Sequence, residues 1–248
     1  MSSIATSFGL TTGRTNESTR HAWVRRALAL LPRGTRLLDA GCGKQPYRDA
    51  CRHLTYVAQD FGGYDPSKER EAGSGGLHPD AFRYGALDFE CDIAAIPAPD
   101  ASFGAILCTE VIEHVADPIA ALRELARLLA PGGTLLVTAP FLSLTHFAPY
   151  HFCTGFSRYF YEKHLVDFGL SRVSCETNGN FFQLVAQELW RLPSTARRYS
   201  GALAAIATLP AVAVGVPMCA IASAFDRGSA ELGCYGLHVK ATKLATGE

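Results

Sequence analysis

At 248 residues with 48% apolar side chains, the chain is long enough to bury one sizeable core and an appended element. Its 23 Lys and Arg balance its 23 Asp and Glu, so no net field draws it to nucleic acid. Its 8 cysteines form no C-x-x-C pair and no signal-peptide pattern opens the chain, which predicts reduced, mostly buried thiols in a cytoplasmic protein.

In chain order, residues 1–17 are expected to be a mobile N-terminus and 18–248 a single domain. From 18 to 31 the spacing of Trp23, Ala27, Leu28 and Leu31 predicts a helix, ended by Pro32-Arg33-Gly34. Strand-like runs follow at 36–40, 55–60, 86–91, 103–109 and 133–139. The polar, glycine-rich stretch 62–76 reads as a mobile loop. Asp117-Pro118 caps and opens a helix whose apolar stripe is Ile119, Leu122, Leu125, Leu128 and Leu129. Alternating strands and helices of this kind predict a parallel sheet covered on both faces. Beyond Pro140 a helix is expected at 157–168, a sixth strand at 170–177, helical spacing at 180–192 and a closing strand at 235–241. Between the last two, 200–225 is uncharged and interrupted by Pro210, Gly215 and Pro217.

The most informative stretch is Leu38-Asp39-Ala40-Gly41-Cys42-Gly43, with Asp60 closing the next strand. A buried strand running into a glycine turn, beside a second strand ending in an acid, builds a nucleoside site. The glycines admit a ligand close to the backbone, and the acid can accept from both ribose hydroxyls. The dinucleotide fingerprint needs a third glycine that this turn lacks. Asp39 also puts negative charge into the turn, which suits a cationic nucleoside, S-adenosylmethionine, better than a phosphate.

These residues resemble the class I S-adenosylmethionine-dependent methyltransferases, and within them the type-11 group. Four further stations support the resemblance. Tyr56-Val57-Ala58-Gln59-Asp60 is similar to the family's second-strand acid, and 92–97 to its adenine-binding segment. The stretch 100–115 is similar to its fourth strand and the helix after it, and 127–135 to the turn before its fifth strand. The resemblance implies a doubly wound, mostly parallel, seven-stranded α/β sheet. The last two strands would form an antiparallel edge hairpin, making 178–233 a helical, apolar insertion between them. Gly104, where the family usually has aspartate, is a departure expected to touch local stability alone.

For the cofactor, the resemblance assigns Gly41 and Gly43 to close backbone approach, Asp39 to the amino-acid end and Asp60 to the ribose. Phe61 would pack on the adenine, with Ile93 beside it and Asp92 accepting from the exocyclic amine. Methyl transfer is an in-line displacement at an activated carbon, so positioning supplies much of the acceleration. A hydroxyl acceptor must lose a proton, and His146, Tyr150 and His151, just after the fifth strand, are candidates for base or acceptor binding. Residues 141–161, rich in His, Phe and Tyr, would wall the acceptor. Glu110, Glu113 and His114, at i, i+3 and i+4 of an expected helix, would share a face able to hold a divalent metal ion. That set is similar to the metal motif of the ubiquinone-pathway and small-RNA O-methyltransferases, the latter with a later histidine that His146 or His151 would supply.

The expected activity is methyl transfer, at oxygen, to a small-molecule, glycan or lipid-linked acceptor, without nucleic acid. A non-catalytic binding module, membrane-associated, is the alternative. A single crossing by 200–225 would strand the closing strand beyond the bilayer. The stretch is therefore expected to be a buried helical hairpin, a homodimer contact, or a peripheral dock on the inner face of a membrane or a lipid-linked substrate, with a true span the reading that topology disfavours.

Overall fold

The computed structural model describes residues 11–64 and 83–245. Most of the expected mobile stretches, 1–10 and 65–76, lies outside those residues. Helix α1 (Asn16–Ala29) leads into β1 (Arg36–Ala40), β2 (Thr55–Asp60), β3 (Phe89–Glu90) and β4 (Phe103–Thr109). Then come α2 (Pro118–Leu128), β5 (Leu129–Pro140), α3 (Arg158–Asp167), β6 (Leu170–Asn178), α4 (Phe181–Ser200), α5 (Ala202–Ala224) and β7 (Gly236–Lys243). The seven strands lie in the order β3-β2-β1-β4-β5-β7-β6, with every pairing from β3 to β5 parallel. This is the doubly wound, mostly parallel sheet that the sequence predicts.

Consecutive residues Leu37 and Leu38 on β1, and Ala105 and Ile106 on β4, are all fully buried. Side chains alternate across a strand, so both faces of the sheet are covered. One layer packs Trp23, Val24 and Leu28 of α1 on Leu37, Ala105, Leu107 and Leu136. Helix α2 starts where expected: Asp117 accepts from Ala120 N at 2.9 Å and Pro118 fills the first turn.

Three local expectations are corrected. The third strand shrinks from 86–91 to Phe89–Glu90: Asp88 N and Cys91 N still donate to Ala58 O and Asp60 O, but side chains take the return bonds. Asp88 Oδ2 accepts from Ala58 N at 2.8 Å, and Gln59 Nε2 donates to Cys91 O at 2.7 Å. The fifth strand begins at Leu129 instead of 133, pairing Leu129 with Phe103 across a register shift at Phe103/Ala105. Gly104 sits in that irregularity, where a Cβ would lie 3.0 Å from Thr35 Cγ2. The segment after β4 is not an α-helix: only Ile112–His114 forms a short 3₁₀ turn, and Glu110 has φ 53°.

The chain divides into two compact units. His21–Glu176 with Leu237–Glu248 holds β1 to β5 and their helices. Met1–Arg20 with Thr177–Gly236 holds α4 and α5. In this second unit Asn180 closes a capping box with Gln183 at the start of α4. One residue, Gly201, joins α4 to α5. The helices run antiparallel: Asn180 Nδ2 at the start of α4 donates to Ser223 Oγ near the end of α5, at 2.9 Å. Trp190 on α4 is fixed by its indole N–H on Thr12 O, at 2.9 Å, under the Arg14 guanidinium.

Candidate active site

β1 and β4 are neighbours, yet the chain leaves them in opposite directions, to β2 and to β5. Such a switch point opens a crevice at the carboxyl ends of the two strands. The turns 41–43 after β1 and 110–111 after β4 line it. Gly41 (φ 73°) and Gly43 (φ 50°) take left-handed conformations that favour glycine. A Cβ on Gly41 would lie 2.4 Å from Val111 Cγ2, so glycine there also lets the two turns meet.

The last two residues of β2 hold the glycine turn. Gly41 N donates to Gln59 O at 2.9 Å and to Gln59 Oε1 at 3.1 Å, and Cys42 N to Gln59 O at 2.9 Å. Gly43 N donates to Asp60 Oδ2 at 2.8 Å, while Phe61 N and Gly62 N donate to Oδ1 at 2.8 and 3.4 Å. Asp60 is thus a clamp on the turn, with acceptor capacity left on Oδ2. Burial raises its pKa and the three backbone amides oppose that shift.

Asp39 is 1% exposed. Its Oδ2 accepts from the Tyr56 hydroxyl at 2.5 Å, and its Oδ1 is buried with no hydrogen-bond partner among the described residues. Desolvation pushes its pKa up to about 7; the Tyr56 hydrogen bond opposes this and the Asp60 carboxylate adds to it. A buried carboxylate oxygen with open lone pairs is costly until a donor reaches it, and a cationic one satisfies it best. The carboxylate therefore suits a cationic ligand such as S-adenosylmethionine.

Around this centre, Phe61 is 44% exposed, its ring edge-on to Tyr150 at 5.1 Å. Ile93 is buried, whereas Asp92 is exposed and accepts from Ala94 N at 2.9 Å. Helix α2 pins the segment that follows. Glu124 Oε1 accepts from Ile96 N at 2.9 Å, and Arg127 donates to Ala98 O at 3.0 Å and Ile96 O at 3.2 Å. Arg127 also pairs with Glu124 and Asp100. Sequence reading missed Gln59 and the Glu124–Arg127 pair. A lone Gln among the apolar residues of β2 is the signal that could have found the first.

The loop after β5 is closed at its base by Phe156 N on Pro140 O, at 2.9 Å, and by Gly155, where a Cβ would lie 2.2 Å from Phe141 O. It carries His146 and His151 to His114, with ring centroids 4.6 Å (114–146), 5.0 Å (146–151) and 5.9 Å (114–151) apart. One ring nitrogen from each lies within 4.8 Å of the others. His114 Nδ1 is 2.5 Å from Tyr150 O, and His146 Nδ1 is 2.8 Å from Leu144 O. A carbonyl only accepts, so both Nδ1 atoms carry the proton and Nε2 is the lone-pair nitrogen when these rings are neutral. Both His151 nitrogens are buried without a hydrogen-bond partner among the described residues. Burial lowers the His151 pKa and His146 lowers it further.

The expected Glu110–Glu113–His114 face is not formed, because those residues are not on one α-helix. Glu110 Oε1 accepts from Thr138 Oγ1 at 2.9 Å, and Glu113 is fully buried. The histidines at 114, 146 and 151 converge instead.

The profile of the methyltransferase-domain family matches residues 15–189. The chain is similar to the ubiquinone biosynthesis O-methyltransferase of Bradyrhizobium diazoefficiens, 33% identical over 105 residues, covering 42% of this chain and 40% of that protein. It thus spans less than half the length of that curated relative. Among solved structures, an S-adenosylmethionine-dependent methyltransferase from Archaeoglobus fulgidus superposes with TM-score 0.54 at 15% identity, over 92% of this chain and 94% of that one. Phosphoethanolamine N-methyltransferase 2 of Haemonchus contortus, solved with S-adenosyl-L-methionine, gives TM-score 0.51 at 14% identity, over 91% and 52%. The two likenesses are of fold.

Proposed function

Because this chain belongs to the class I S-adenosylmethionine-dependent methyltransferases, we propose that it moves a methyl group from S-adenosylmethionine to an oxygen of a small-molecule, glycan or lipid-linked acceptor. The observation that carries this reading is Asp39 Oδ1, buried beside the glycine turn with no hydrogen-bond partner among the described residues. When bound, the cofactor supplies a methyl carbon already activated by its sulfonium. Asp39 receives the cationic amino-acid end, and Gly41 and Gly43 let the backbone come close. Asp60 accepts from the ribose through Oδ2, while Phe61, Ile93 and Asp92 bound the adenine.

His151 is the proposed base. Its lowered pKa keeps it neutral at pH 7, so it can take the hydroxyl proton as the acceptor oxygen bonds to the methyl carbon. The C–S bond breaks in the same step and its electron pair stays on sulfur. His146 and Tyr150 line the acceptor side, where Phe61 and Tyr150 meet. The likeness to the Bradyrhizobium O-methyltransferase supports oxygen as the acceptor atom.

The three converging imidazoles favour one second reading, a divalent ion held by His114, His146 and His151. Nδ1 protons on backbone carbonyls, as in two of these rings, are the usual support of metal-binding histidines. The ion would bind the acceptor oxygen and lower its pKa.

Calorimetric titration with S-adenosylmethionine, then labelled-methyl transfer to fractionated cell extract, tests the main reading. Absence of binding by the wild-type chain sinks it, and binding without transfer to any compound leaves a binding module. Turnover unchanged after exhaustive chelation keeps His151 as base; turnover lost and restored by zinc or manganese makes the trio a metal centre.

A further inference from the structure

Helix α5 (Ala202–Ala224) has 23 residues and is long and apolar enough to cross a membrane by length and composition. Core helices of soluble proteins pass that test because they are buried. This one is not: 17% of its most apolar stretch is buried. Val212, Val216 and Ala220 form its covered stripe, and Leu189 of α4 lies against Gly215. Leu203, Ile206, Leu209, Val214, Met218 and Ile221 are each more than half exposed. At about 100° per residue they spread over roughly half the helix circumference. A contiguous apolar surface of that size marks an interaction site.

The charge pattern selects the partner. From Leu192 to Phe225 the only charged side chains are Arg197 and Arg198, both exposed at the α4 end of the joint with α5. Exposed Tyr199 follows them, and exposed Phe225 closes α5. Basic and aromatic residues flanking an uncharged, apolar helix match the layering of headgroups over acyl chains. A second copy of the helix would cover a stripe, whereas a fluid leaflet covers half a circumference.

The immersion is shallow. Strands β6 and β7, between which the hairpin is inserted, are neighbours in one sheet, so the chain returns to the side it left. Helix α4 also carries the Glu188–Arg191 ion pair, at 2.6 Å. Pro210 and Pro217 lack the N–H that would serve the carbonyls of Ile206 and Ala213, and water at headgroup level can serve them.

We propose that the α4–α5 hairpin docks the protein on an anionic bilayer, with the open side of α5 in one leaflet and Arg197 and Arg198 on lipid headgroup phosphates. The docking is independent of methyl transfer.

The test is co-sedimentation of the full chain with vesicles of phosphatidylcholine carrying about one third phosphatidylglycerol, against phosphatidylcholine alone. Partitioning is expected to be about tenfold stronger on the anionic vesicles. R197E/R198E removes that preference. I206D/I221D, at positions 62% and 63% exposed, abolishes binding to both while leaving the melting temperature and S-adenosylmethionine affinity unchanged. Protein left in the supernatant with both vesicle types overturns the proposal. So does a dimer in sedimentation velocity that I206D/I221D dissociates without any vesicle binding, because a second copy then covers the face.

Discussion

With its pKa pushed up to about 7, Asp39 changes charge across the ordinary assay range, and two effects of opposite sign follow. The folded chain holds this proton more tightly than the unfolded chain, whose carboxyl titrates near its ordinary value. The contribution to stability is therefore greatest below about pH 4, falls as pH rises to about 7 and is level above that. Cofactor capture runs the other way, because a cation needs the ionised form. Calorimetry is expected to find S-adenosylmethionine binding about tenfold weaker at pH 6 than at pH 8. Asp39→Asn keeps an acceptor for Tyr56 but loses the charge. It is expected to flatten that dependence, weaken binding, and raise stability at pH 8 by about 2 kcal/mol in urea denaturation. His151, as the proposed base, would act at a different step. Its lowered pKa is expected to move the acid-side fall of kcat below that of an ordinary histidine, and a pH profile of kcat checks this. That Asp39, Gly41, Gly43 and Asp60 gather at one turn was legible, because their placement follows from local chain geometry. Gln59 was not, since its use lies in a turn of another segment. The helical face of Glu110, Glu113 and His114 failed because spacing implies a shared side only where a helix exists.

At the scale of elements, α2 is a brace for the segment that follows Asp92. Arg127 is 34% exposed, and its bonds to Ala98 O, Ile96 O and Glu124 replace the regular structure that 92–100 lacks. Arg127→Met is expected to lower stability by about 2 kcal/mol in urea denaturation, discounted for partial exposure, and to weaken cofactor binding. Arg127→Lys restores little of either, because a single ammonium cannot span two carbonyls and two carboxylates. The amphipathic stripe and Asp117 cap made α2 readable from sequence. Its hydrogen bonds to a segment some thirty residues earlier were not, because periodicity reports which face is apolar and nothing of what the polar face meets. The short β3 was over-read for a related reason: Asp88 and Gln59 take over backbone bonds that a strand pattern assumes are paired with backbone.

For the whole molecule, the two proposals assign separate tasks to the two compact units. Replacing 181–225 by a short glycine–serine linker is expected to leave S-adenosylmethionine affinity within about twofold and to remove vesicle binding. A fall in cofactor affinity beyond that, by calorimetry, would join the hairpin to the catalytic unit. Another property runs through both units. All eight cysteines are free, and each has its thiol pKa raised, chiefly by burial. Cys42, between the two glycines, is pushed up to about 12 by burial and by the Asp39 and Asp60 carboxylates. At pH 7 about one such group in 10⁵ is ionised, and only the ionised sulfur is a strong nucleophile. A chain proposed to hold an alkylating agent against its own backbone thereby offers that agent almost no thiolate to attack.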